Sequence, residues 1–240
     1  FLDRHFVDLW QGVPSIGDHG EIALDDVWLE NAPAKIALKS AVAFPSFRKK
    51  NVSLRARIQN PTGERGPCAV RFDFRRDGKT QKSFLRKFTL DGSPEQLILF
   101  TGTWRDPVLW NAEQPNLYRM SVALIREEQE VDTFPMQDFG FREMWVENGE
   151  FRLNGNKMRL RMWTSPGLNR LRYYYGNPRA VGQYVAHVKE MNYDTVRFDP
   201  FRKTSQVAWK DYLNESNRQG LYNLFPLPPY EDGGLVGYTK

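Results

Sequence analysis

DFGFREMWVENGEFRLNGNKMRLRM, residues 138–162, separates two kinds of sequence. Short alternating runs lie before it. After it come longer helical patterns between apolar runs. Within it, Phe151-Arg152-Leu153 and Met158-Arg159-Leu160 alternate in and out. Asn154-Gly155-Asn156 between them is a turn signal, because Asn and Gly take positive φ at little cost. The pattern predicts a β-hairpin over 149–161 whose second arm runs on into the next unit.

Upstream, Val52, Leu54, Ala56 and Ile58 alternate with Ser53, Arg55, Arg57 and Gln59. Val70, Phe72 and Phe74 do the same, as do Phe84 and Phe88, and Met120, Val122 and Leu124. Asn60-Pro61-Thr62-Gly63, Asp77-Gly78 and Asp91-Gly92 punctuate these runs. Strands at this spacing over about 100 residues predict an all-β sandwich of immunoglobulin-like size. Trp110 and Tyr118 read as core and corner packing. Further upstream, Ile22, Leu24 and Val27-Trp28-Leu29 read as strand. An isolated strand pair is marginal in water unless it packs on something. A strand extension of the following sandwich is the alternative.

Downstream, Met158–Trp163 is a candidate strand, followed by a loop rich in Arg and Tyr. Val181, Tyr184, Val185 and Val188 mark one face of a helix over 179–191. Thr195–Phe198 is a second strand, stopped by Pro200. A second helix over 205–218 begins at the N-cap candidate Ser205 and stops at Gly220. Leu221–Phe225 is a third strand. Alternating strand and helix means a parallel βαβαβ unit.

The 240 residues suit more than one domain, and 40% hydrophobic content can fill a core. No apolar run reaches the roughly 18 residues that span a bilayer. Cys68 is the only cysteine, so an internal disulfide and a Cys-based zinc site are excluded. Neither a metal triad nor a Gly-rich phosphate loop is visible. The net charge of +5 hides a split. Residues 1–30 carry Asp3, Asp8, Asp18, Glu21, Asp25, Asp26 and Glu30 against Arg4, whereas 48–87 are dominated by Arg and Lys. Without any nucleic-acid-binding signature, the basic block reads first as the solvated face of strands and second as a polyanion surface.

Phe139-Gly140-Phe141-Arg142-Glu143, then Phe151-x-Leu153-Asn154-Gly155, then Leu160-Arg161 resembles the lead-in to the catalytic barrel of glycoside hydrolase family 2. That family includes β-galactosidases, β-glucuronidases and β-mannosidases. Met162 stands where its pattern has Gly. Other pieces resemble the same family. Gly20-Glu21-Ile22 with Asp26-Val27-Trp28-Leu29-Glu30 is similar to the close of its jelly-roll domain. Leu109-Trp110 with Pro115-x-Leu117-Tyr118 is similar to its middle domain, and Val196-Arg197 with Gly220-Leu221-Tyr222 to its barrel.

The resemblance implies a multidomain β plus α/β chain. Residues 1–30 would end a jelly roll, 31–141 form an immunoglobulin-like β-sandwich, and 142–240 start a (β/α)₈ (TIM) barrel with its first three βα units. It implies retaining hydrolysis of β-linked glycosides by two carboxyl groups ~5–5.5 Å apart. The family's glutamates end barrel strands four and seven, so both are expected beyond this chain. Arg197 resembles the arginine that holds the nucleophile carboxylate. Asp199 would share its parity toward the barrel mouth. Trp163 would stack on a sugar or form the barrel wall. Glu231 and Asp232 would touch sugar hydroxyls.

Asn214-Glu215 mimics the family's Asn-Glu pair but falls inside a predicted helix, not at a strand end. His5, His19 and His187 avoid the strand ends, and strand two runs into Phe198-Asp199-Pro200, unlike the family's β-galactosidases. The implied partner is a carbohydrate substrate, with no cofactor, metal, nucleic acid or membrane. The oligomeric state is left open. The start is not Met and looks like mid-domain sequence. The family leans toward a periplasmic or secreted parent. A non-catalytic carbohydrate-binding or scaffold protein using the basic sandwich face is the alternative.

Overall fold

The computed structural model describes residues 36–164, 178–197 and 206–224, with backbone alone at 178 and 206–210. The strands expected within 1–30, and Asp199, Glu231 and Asp232, lie outside the described residues.

Seven antiparallel strands come first: β1 (Ala37–Ser46), β2 (Asn51–Gln59), β3 (Arg65–Arg76), β4 (Lys79–Asp91), β5 (Glu95–Thr103), β6 (Tyr118–Arg126) and β7 (Gln129–Phe139). They form a three-stranded sheet, β1-β2-β5, and a four-stranded sheet, β4-β3-β6-β7. The alternation read in the sequence decides which face turns inward. Val52, Leu54, Ala56 and Ile58 are buried along β2, and Val70, Phe72 and Phe74 along β3. Sheet packs on sheet because each has one apolar face to remove from water. Trp104 lies at the centre of this core. Its ring centroid is 5.1 Å from that of Phe74, 5.0 Å from Tyr118 and 5.4 Å from Phe141. The Tyr118 hydroxyl accepts the Val108 N–H at 2.7 Å, the corner contact expected of it.

A small sheet follows: β8 (Met144–Glu147), β9 (Glu150–Leu153) and β10 (Asn156–Lys157), in the order β10-β9-β8. The Asn154-Gly155 turn stands where the sequence put it, with φ of +49° and +89°. A second turn was missed. Asn148-Gly149, at +51° and +74°, adds β8 to the hairpin.

The last unit is β11 (Met162–Thr164), α1 (Pro178–Glu190), β12 (Thr195–Arg197), α2 (Gln206–Gln219) and β13 (Tyr222–Leu224). The three strands are parallel, with β12 central. Strand one is shorter than predicted, starting at Met162 and not at Met158. Backbone groups before it are used elsewhere. Met158 N–H donates to the Phe151 carbonyl and Arg161 N–H to the Asp194 carboxylate. Both helices end in a left-handed residue, Asn192 at +66° and Gly220 at +77°. Tyr193 N–H returns to the Val188 carbonyl and Leu221 N–H to that of Ser216, which satisfies the last helical carbonyls. Val181, Val185 and Val188 face Val196 across the helix–sheet core.

Replacing Trp104 with Ala should lower stability by about 3–5 kcal/mol, measured by urea unfolding, because a fully packed aromatic leaves a cavity. Leu85→Ala, at a side chain 53% exposed, should stay within about 0.5 kcal/mol of the parent.

Candidate functional site

Strand parity divides the parallel sheet into two faces. Trp163, Val196 and Asn223 are in register. Val196 is buried among the helices, and Asn223 accepts the Tyr212 hydroxyl of α2 at 2.8 Å. Burial pushes the Tyr212 phenol up, so it remains a proton donor there. Trp163 packs against Tyr193 at 5.3 Å on this same side.

One residue further, Thr164, Arg197 and Leu224 face away from the helices at the carboxyl ends of their strands. Thr164 and Leu224 are exposed and Arg197 is half-buried. Arg197 is the cation of this row, and a guanidinium is the side chain whose paired donors suit a carboxylate. Of the predicted site residues, the structure places Arg197 and Trp163, on opposite faces. Asp199, Glu231 and Asp232 lie outside the described residues.

The sheet is fixed to the sandwich through Trp110, which is wholly buried. Its indole Nε1–H donates to the Asn217 carbonyl of α2 at 2.8 Å. Its backbone N–H donates to Phe141, and its carbonyl accepts the Asn154 side-chain amide at 3.0 Å. The Arg142 guanidinium lies 3.9 Å over its ring and donates to Asn217 Oδ1 at 2.8 Å. Burial lowers the Arg142 pKa. The Tyr222 ring meets the indole edge-on at 5.3 Å, and its hydroxyl, pushed up to about 12 by burial, accepts the Ala112 N–H.

The motif residues thus acquire physical roles. A Cβ on Gly140 would lie 3.0 Å from Trp110 Cγ and 3.1 Å from Arg142 Nη1, so glycine lets the two stack. Glu143 accepts Nε and Nη2 of Arg48 on one oxygen, and the Arg48 N–H and Ser46 hydroxyl on the other. Asn154 Oδ1 accepts the Glu143 N–H at 2.9 Å. Sequence reading missed the partners Asn217 and Tyr222. The Gly140 position, with an Arg two residues on, was the one local hint.

Two carboxylates are structural. Glu215 sits on α2 and accepts Arg218 Nη1 at 2.8 Å, away from any strand end, as its helical position predicted. Asp194 accepts the Arg161 N–H and Nε and the Thr195 hydroxyl, which locks the start of β12 to the residue before β11. It also lines a groove of about 640 Å³ with Tyr222, Asn154 and Arg159. That groove opens at the amino ends of the strands, opposite Arg197. Among the described residues, no cluster of His, Cys, Asp or Glu suits a metal ion.

Residues 26–142 match the model described as glycosyl hydrolases family 2. Over 121 residues the chain is 33% identical to "Beta-galactosidase 2" of Enterobacter cloacae, which covers 48% of this chain and 11% of that protein. It is 32% identical over 121 residues to a beta-galactosidase of Yersinia pestis bv. Antiqua (strain Angola), with the same shares. The chain therefore spans a small part of these curated relatives. A beta-galacturonidase of Eisenbergiella tayi solved with galacturonate superposes with a TM-score of 0.65 and 19% identity, over 80% of this chain and 33% of that one. A Bacteroides uniformis beta-glucuronidase superposes at 0.62 with 17% identity, over 79% and 24%.

Gly220→Ala should loosen the junction. The added Cβ would lie 2.3 Å from the Ala112 carbonyl oxygen, at a φ that L residues rarely adopt. Hydrogen exchange should rise in α2 and β13 while β2 and β3 keep their protection. Glu143 supplies a pH test. Burial alone would raise its pKa, but the Arg48 and Ser46 hydrogen bonds outweigh this and hold it below the usual value. Its stabilisation is therefore fully present above the unfolded carboxylate pKa of about 4.3 and is lost as pH falls through the lower folded value. Glu143→Gln should remove that part of the acid limb in a stability–pH profile.

Proposed function

We propose, from the premise that the chain belongs to glycosyl hydrolases family 2, that it is part of a retaining β-glycosidase. In this reading residues 1–30 close a jelly roll, 31–141 are an immunoglobulin-like sandwich, and 142–240 begin a (β/α)₈ barrel. Both catalytic glutamates lie on later barrel strands. Arg197 is a positioning residue that holds the nucleophile ionised through a bidentate contact.

The observation that carries this reading is the place of Arg197, at the carboxyl end of a central parallel strand and facing away from the helices. In barrel enzymes the chemistry gathers at that end. The solved relatives include proteins named for galacturonate and glucuronate, and the curated ones are named β-galactosidases. The substrate is a β-linked glycoside of an oligo- or polysaccharide. In sequence, Trp163-Thr164 and Arg197-Phe198-Asp199 depart from the motifs of the family's β-galactosidases, which favours a different sugar. The non-catalytic alternative is the second reading, and part of the basic block that it would use is already paired. Arg57 pairs with Glu95, Arg48 with Glu143, and Arg71 with Asp73 and Glu130.

This chain alone should not turn over chromogenic β-glycosides. Turnover by a clean sample would place the catalytic acids within it. In the longer parent, Arg197→Ala should reduce kcat by about 10²-fold or more. It should also move the acid limb of kcat/KM to higher pH, since the nucleophile loses the cation that keeps it ionised. An unchanged acid limb would remove Arg197 from this role.

A further inference from the structure

Among the described strands, β4 has β3 on one side and none on the other. Its sequence is KTQKSFLRKFTLD, in which the last residue, Asp91, is the only acidic side chain. Lys79, Arg86 and Lys87 are exposed and Lys82 is half-buried. Among the described residues, none of these four cations pairs with a carboxylate. Lys82 instead lies 5.4 Å from the centre of the Phe84 ring. Several cations on neighbouring strands are matched: Arg57 by Glu95, Arg71 by Asp73 and Glu130, Arg126 by Glu64. A lysine or two on an open edge blocks pairing with another sheet. Four cations without a counter-charge go beyond that need.

We infer that the open edge of β4 binds an acidic polysaccharide, whose carboxylates or sulfates meet Lys79, Lys82, Arg86 and Lys87. Spacing excludes a single small anion as the ligand. Lys79 and Lys87 stand about 27 Å apart along the strand, and Lys82 and Arg86 about 13 Å apart. Charges set out in such a line suit an extended polyanion. Thr80, Gln81, Ser83 and Thr89 are exposed between and beside them, and their hydroxyls and amide can hydrogen-bond the hydroxyls of a sugar. A single-stranded nucleic acid fits less well. It needs aromatic platforms for its bases, whereas Phe84 and Phe88 on this strand are partly buried and packed against the core. The inference rests on the glycosidase reading for the saccharide and deepens it by giving the substrate a negative charge. It places that polymer on the sandwich and not at the strand end of Arg197.

Binding of the full chain to immobilised polysaccharide tests it without turnover. Polygalacturonate, a carboxylate polymer, or heparin, a sulfated one, should retain the chain, and neutral galactan should not. Retention on one of the two anionic polymers alone supports the assignment and names the anion. Affinity should fall about 10- to 100-fold between about 50 and 200 mM salt, as release of counterions from about four contacts requires. Arg86→Gln with Lys87→Gln, both at exposed positions, should weaken binding about tenfold, since half of the contacts are lost. Lys79→Gln with Lys82→Gln should do the same, which keeps the test valid if one pair fails to fold. Lys39→Gln with Lys49→Gln removes the same charge from the side of β1 and should leave affinity within about twofold. Equal retention on neutral galactan, equal weakening by the control pair, or tighter binding of single-stranded DNA than of either anionic polymer would overturn the assignment. Absence of binding while the longer parent cleaves neutral glycosides would sink this inference and leave the glycosidase reading standing.

Discussion

The buried indole of Trp110 is where three units become one body. The sandwich holds its backbone through Phe141, the hairpin holds its carbonyl through Asn154, and the helical unit takes its Nε1–H through Asn217. Every polar group of the residue is committed. Net hydrogen bonds are worth about 1 kcal/mol each, but a buried group left unmatched costs more. Displacing any one unit therefore leaves several orphans at once. Arg142 adds to the cost, since its desolvated charge is held by the indole face and Asn217. That coupling orients the β12 strand end, and hence Arg197, against the sandwich.

Acidic residues do much of the fastening. Asp138 receives Arg218 of α2 at 3.0 Å and Arg119 at 3.5 Å, and Glu143 receives Arg48. Asp194 ties the polypeptide before β11 to β12. Lys189 works in the opposite sense, donating to the carbonyls of Ala112 and Gly220 and so joining α1, the 104–117 loop and the end of α2. These links are partly shielded from water, so screening weakens them less than exposed pairs.

The sandwich was legible because period-two alternation reports burial directly, as along β2 and β3. The parallel unit was legible because Val181, Val185 and Val188 keep helical spacing and Gly220 ends α2. The beginning of β11 was not, since Met158–Arg161 looks like strand in sequence while its N–H groups serve the hairpin and Asp194. The junction was also hidden. Trp110 and Asn217 are 107 residues apart, and nothing local in either announces the other. The motif around Gly140 was recognisable as a pattern, but the steric reason for its glycine needed the coordinates of two neighbouring side chains. The helical place of Glu215 was legible as well, since the 205–218 pattern put it inside a helix and α2 contains it.

The long separation between Trp110 and its helical partner bears on how the protein is made. A ribosome adds roughly 5–20 residues per second, so the indole emerges about 5–20 s before Asn217 exists to receive it. The β-sandwich, built from hairpins between neighbouring strands, has time to fold in that interval. It then carries an unsheltered aromatic patch on the nascent chain. A holdase chaperone binding that patch would shield it from aggregation, and release would be timed by the emergence of α2.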